Sequence, residues 1–215
     1  MNVENYLNQY YKLDEIEKTI IKLAEETGTP ILSISKARIL SFLVKIKNPK
    51  IALEIGLGIG FSTYSILNAL DEKAKLISID KNFHRIEIFY EKIYKKLLNK
   101  KIKEKLSVYP IDAFYAFEIF CSINKKFDFI FIDSQKRDYY FFYDYLIKLT
   151  KKGSIVVIDN ITYNFQTFQK ITDRSKKYLE GVKLVEKFLK KISSSRDFKA
   201  VYFPAGDGMC GLIRL

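Results

Sequence analysis

Residues 50–62 read KIALEIGLGIGFS, an apolar run of strand length that empties into three closely spaced glycines and then into a helical pattern. Gly56, Gly58 and Gly60 let the backbone turn tightly and let a ligand approach the main chain, while the start of the next helix offers unpaired N–H donors. Something nucleotide-like is expected there. The G-x-G-x-G spacing departs from the G-x-G-x-x-G of dinucleotide sites, which argues against a nicotinamide or flavin enzyme. Outward from this loop, short apolar runs recur at about 50–55, 75–80, 105–109, 127–132, 153–158, 197–202 and 209–214. Helical periodicity fills the gaps, as at Phe83, Ile86, Phe89, Tyr90 and Ile93. The alternation predicts an α/β fold, a mostly parallel sheet with helices on both faces. The turn at 204–208, PAGDG, predicts a hairpin-like finish and one antiparallel strand. Ahead of the sheet, 3–26 and 35–47 read as two helices broken at Gly28-Thr29-Pro30. They form an N-terminal cap, 1–48, on a core, 49–215, of a single domain.

Length and composition agree with one globular core: 215 residues, 48% hydrophobic, with only 9 Gly and 4 Pro. No apolar run approaches the roughly 20 residues of a membrane span. The N-terminus lacks a basic segment followed by an apolar one, so a cytoplasmic protein without membrane contact is expected. Cys121 and Cys210 match no zinc or redox spacing and read as free, structural thiols. The net charge of +12 would suit a phosphate polyanion, although lysine-rich solvated helices such as 95–105, KKLLNKKIKEK, explain it as well.

Three acids mark a nucleoside site. Asp80 ends the second strand, where doubly wound folds place an acceptor for ribose hydroxyls; the ordinary alternative is a solvated strand-end acid. Glu54, beside the glycine loop, would repel a pyrophosphate and suit an ammonium-bearing ligand, which points to S-adenosylmethionine. Asp112 could accept from an adenine amino group or simply cap the next helix.

A second group sits at the ends of two further strands. FDFIFID delivers Asp133, and SIVVIDN delivers Asp159 and Asn160. Two carboxylates and an amide oxygen at strand carboxyl ends suit Mg²⁺, or Mn²⁺ or Ca²⁺, unless Asp159 and Asn160 merely form a turn. Lys136 begins a loop over the same place. Beside a cation its pKa should fall enough to let it take a proton from a hydroxyl; a solvated surface lysine is the alternative. Tyr139, Tyr140 and Tyr163 are expected in loops that flank a planar substrate, and the lone His84 reads as structural or surface.

In order and at matching spacing, TGTPIL, ALEIGLGIGFS, LISID, FDFIFIDSQKRDY, IVVIDN and PAGDG resemble the metal-dependent O-methyltransferases, a family that includes catechol and caffeoyl-coenzyme A O-methyltransferases and bacterial enzymes acting on 5-hydroxyuridine in tRNA. The resemblance runs from about residue 28 to the C-terminus. It implies a Rossmann-like class I methyltransferase fold with seven strands, the last pair antiparallel, and a homodimer. It also implies that Glu54, Gly56, Gly60, Ser62 and Asp80 line the S-adenosylmethionine site, that Asp133, Asp159 and Asn160 hold Mg²⁺, and that Lys136 is the base. The chain departs from the pattern at Ile111, where a glycine is usual, at Ser134-Gln135, and after Asn160, where a common glycine is missing. Two substrate classes follow, 5-hydroxyuridine in tRNA and small catechol-like phenols. A protein that binds S-adenosylmethionine without turning it over, or a dehydrogenase, would be the reading of another class.

Overall fold

The computed structural model describes residues 3–97, 100–167 and 178–215. Its seven strands form one mixed sheet in the order β3-β2-β1-β4-β5-β7-β6. By its internal contacts the chain divides into two compact units, 1–116 and 117–215.

The first unit opens with α1 (Val3–Asn8), α2 (Glu15–Thr27) and α3 (Ile34–Lys47). The single helix expected over 3–26 is therefore two. Asp14 restarts it, accepting from the N–H groups of Ile16 and Glu17 while Glu17 accepts from Asp14 N–H, so a capping box defines a new N-terminus. Gly28, left-handed at φ 61, ends α2 at the expected break. Arg38 on α3 clasps buried Glu17 with both terminal nitrogens.

Next come β1 (Ile51–Ile55), α4 (Phe61–Ala69), β2 (Lys75–Ile79) and α5 (Phe83–Ile88), the last running on through a π turn, Phe89–Ile93, and a 3₁₀ turn, Tyr94–Lys96. A short α6 (Lys100–Glu104) leads into β3 (Leu106–Tyr109). β1 pairs with β2 and β2 with β3, both in parallel. Parallel pairing places the ends of β1 and β2, Ile55 and Ile79, at one edge, so the glycine loop and Asp80 emerge side by side.

α7 (Ala113–Ser122) precedes β4 (Phe127–Ile132), whose six residues are all buried, as a strand covered on both faces requires. Asp128 is tolerated there because Lys151 reaches it at 2.7 Å. After α8 (Tyr139–Leu149), β5 (Thr150–Asp159) runs parallel to β4 and delivers Asp159. α9 (Leu179–Ser193) turns Val182, Val185, Phe188 and Ile192 inward. The hairpin of β6 (Phe198–Phe203) and β7 (Met209–Arg214) closes the chain; β7 is antiparallel to both β5 and β6, as the PAGDG turn predicts. Among the described residues, no helix is long and apolar enough to cross a membrane.

Candidate active site

In the first unit, Gly56, Gly58 and Gly60 all take positive φ, at 99°, 56° and 95°. They differ in what surrounds them. A Cβ on Gly58 would meet nothing within 4 Å, so the backbone there is open to a ligand. A Cβ on Gly60 would come within 2.4 Å of the Phe89 ring, so packing of the π turn demands glycine there. Asp80 ties the loop down. Its Oδ2 accepts from Gly58 N–H at 2.8 Å and its Oδ1 from Asn82 N–H at 2.8 Å, and each oxygen retains a lone pair for another donor.

Glu54 is held by neighbouring hydroxyls. It is buried, with Oε1 accepting from Ser62 at 2.6 Å and Oε2 from Thr63 at 2.6 Å and Ser78 at 2.5 Å. Burial raises its pKa to about 7, against the pull of the three hydroxyls, with Asp80 adding repulsion. The Ser62 hydroxyl donates to Glu54, which leaves its oxygen free to accept. Asp112 behaves as the helix cap it could have been, its Oδ1 accepting from Phe114 N–H at 3.0 Å and its Oδ2 lying 3.3 Å from Lys81 Nζ. Sequence reasoning missed Thr63 and Ser78. Ser78 had a signal, a hydroxyl in the buried phase of the strand LISID.

In the second unit, Asp133 follows β4 and receives Lys136 Nζ at 2.7 Å. Lys136 lies on a 3₁₀ turn, Lys136–Asp138, with its side chain only 12% exposed, so it is no solvated surface lysine. Its pKa is displaced opposite to expectation: burial lowers it, but attraction to Tyr139, Asp133 and Asp159 outweighs burial and drives it well above the usual lysine range. The expected fall presupposes a cation, whereas here carboxylates dominate the field. Tyr139 is also reassigned. It begins α8, is buried, and donates its hydroxyl to the Asp159 carbonyl at 2.9 Å, with Lys136 Nζ 5.5 Å from its ring centroid.

Asp159 and Asn160 are buried at the end of β5, and Asn160 takes φ 53°. Asn160 Oδ1 accepts from Asn164 N–H at 2.8 Å, and its Nδ2 donates to Asn164 Oδ1 at 2.6 Å. The turn beyond is pinned to the hairpin: Ile161 N–H and Thr162 N–H donate to the carbonyls of Gly208 and Asp207, and Thr162 Oγ1 to Asp207 at 2.7 Å. Tyr163, Asn164 and Phe165 all have positive φ without a glycine among them, which is how this chain accommodates the departure after Asn160. Residues 168–177 of that segment lie outside the described residues.

The donor set of Asp133, Asp159 and Asn160, two carboxylates and an amide oxygen, fits a hard divalent cation. Among the described residues there is no group of three His, Cys, Asp or Glu side chains suited to a metal, so a softer ion has no competing centre there. Tyr140 belongs to α8 and lies under Lys191, while Tyr163 is in a turn, packed edge-on against Tyr178 at 5.3 Å. His84 is exposed beside Glu87, 3.8 Å away, and Cys210 is buried with its thiol pushed up to about 12.

The sequence model for the O-methyltransferase family matches residues 4–215. A caffeoyl-CoA O-methyltransferase of Populus kitakamiensis is 28% identical over 206 residues, covering 95% of this chain and 86% of the relative. An O-methyltransferase from Bacillus cereus, solved in complex with SAH, superposes with TM-score 0.83 at 19% identity, covering 99% of this chain and 97% of its own. One from Streptomyces achromogenes involved in tomaymycin synthesis, solved with SAM, gives 0.80 at 20% identity over 99% and 95%. Likeness at those identities is a likeness of fold.

Proposed function

The chain belongs to the O-methyltransferase family, and from that premise we propose that it transfers the methyl group of S-adenosylmethionine to a hydroxyl with a second oxygen beside it, using a divalent cation on Asp133, Asp159 and Asn160. The observation that carries this reading is the part-buried contact of Lys136 with Asp133 in the field of Asp159, which would set a base beside two hard ligands. When bound, the cation supplies a Lewis acid that acidifies the acceptor and offsets the carboxylate charge that keeps Lys136 protonated.

The open backbone at Gly58 receives the cofactor, and Asp80 accepts from its ribose hydroxyls while keeping its bonds to Gly58 and Asn82. Lys136 removes the hydroxyl proton. The resulting oxyanion attacks the methyl carbon as the carbon–sulfur bond breaks, its electrons staying on sulfur, a displacement that depends on close alignment.

The leading acceptor is a small catechol-like compound, in keeping with the caffeoyl-CoA specificity by which the Populus relative is named. One feature favours a second, 5-hydroxyuridine in tRNA: residues 81–105 hold nine Lys and Arg against three Asp and Glu. Transfer of labelled methyl to caffeoyl-CoA, catechols and hydroxyuridine-bearing tRNA, each with Mg²⁺ and with chelator, decides between them. Cofactor binding without chelator-sensitive transfer to any acceptor would leave a non-catalytic S-adenosylmethionine-binding protein. With the right acceptor, Lys136→Ala should cut turnover by about 10²-fold or more and spare cofactor binding; undiminished turnover removes Lys136 as base. Sedimentation equilibrium tests the homodimer.

A further inference from the structure

Asn160 can serve a cation only through its oxygen, so something must stop its amide from turning nitrogen outward. The backbone supplies half of that control. Asn164 N–H can only donate, so the atom of Asn160 facing it at 2.8 Å is Oδ1. The side chain supplies the other half, since Asn160 Nδ2 donates to Asn164 Oδ1 at 2.6 Å, and a reversed amide would set donor against donor and acceptor against acceptor. The N–H bond uses one lone pair of Asn160 Oδ1 and leaves the second for a ligand. Both residues sit at left-handed φ, 53° and 54°, a conformation asparagine tolerates better than most residues. Bonds from Ile161 and Thr162 to the hairpin carbonyls hold the intervening turn in place.

We propose that Asn164 is a positioning residue that locks the Asn160 amide oxygen toward a divalent cation. The proposal rests on the metal reading above. Partners that orient a ligand from behind commonly govern metal affinity by 10-fold or more.

Mn²⁺ titration of the full chain, followed by electron paramagnetic resonance, tests it without recourse to activity. Asn164→Ala should weaken Mn²⁺ binding about 10-fold. Asn164→Asp, which restores the acceptor for Asn160 Nδ2, should bind as tightly as the parent or tighter, a rescue that a purely structural role does not predict. Melting of the ion-free proteins checks that the variants are folded. Mn²⁺ affinity of Asn164→Ala within twofold of the parent, while Asp159→Asn abolishes binding, overturns the role of Asn164 and leaves the metal site standing. No saturable Mn²⁺ in the parent, or binding unaltered by Asp159→Asn, overturns both. Should Asn164→Ala fail to fold, Asn164→Asp decides alone, a 10-fold loss overturning the proposal.

Discussion

Glu54 shows how much of a single side chain's surroundings the order of residues leaves out. Its place beside the glycine loop is plain from KIALEIGLGIG, but the sequence does not show the three hydroxyls that donate to it in the fold. Its pKa, near 4.5 in the unfolded chain, is raised to about 7 in the fold. Folding therefore favours the protonated form, and the stability this contributes is complete below pH 4.5 and lost as pH rises through about 7. Glu54→Gln stays neutral, so its stability relative to the parent should grow by about 3 kcal/mol between pH 4.5 and 8, read from urea unfolding at each pH. A difference that does not change with pH would mean the carboxyl is ionised throughout. Tyr139 is a parallel case, placed by the sequence in a substrate-flanking loop and by the structure beneath Asp159. Tyr139→Phe keeps the ring and removes the bond to the Asp159 carbonyl, and should cost about 1 kcal/mol in denaturant unfolding; an unchanged midpoint would show that bond to be inconsequential.

Elements were more legible than side chains, because a strand buried on both faces must be apolar along its whole length and a helix must repeat every 3.6 residues. β4 and β7 fall where the apolar runs put them, and α2 starts late only because the Asp14 capping box is a subtler signal than a glycine or proline. The glycine loop was legible as a loop, not in its reasons. Gly60 answers to Phe89, which lies on a π turn that periodicity alone would have drawn as ordinary helix. Gly60→Ala brings a methyl group against a wholly buried ring and a φ of 95° that alanine resists, so a loss of about 2 kcal/mol or more is expected in thermal unfolding. Gly58→Ala has open space around it and pays chiefly for φ, so it should lose less stability but more S-adenosylmethionine affinity. Equal stability losses in the two variants would refute the division of labour.

For the whole molecule, the +12 charge is a statement about partners rather than about fold. If the acceptor is RNA, its affinity should fall steeply as salt rises from 50 to 200 mM, because each neutralised phosphate releases counterions. A flat response in a filter-binding titration would assign the basic helices to solvation and leave the small phenolic acceptor. The sequence by itself determined the α/β class, the strand sites, the antiparallel close and the residues at the strand ends, because these follow from periodicity and from residue types that only certain backbone positions accept. Tertiary structure alone decided which way those side chains face and what they bind. Ser62 and Ser78 meet Glu54 across separate elements, Tyr139 reaches Asp159 across twenty residues, and Lys136 has its proton held by carboxylates rather than loosened. Such pairings depend on through-space distance and local dielectric, and neither quantity is written in the order of the residues.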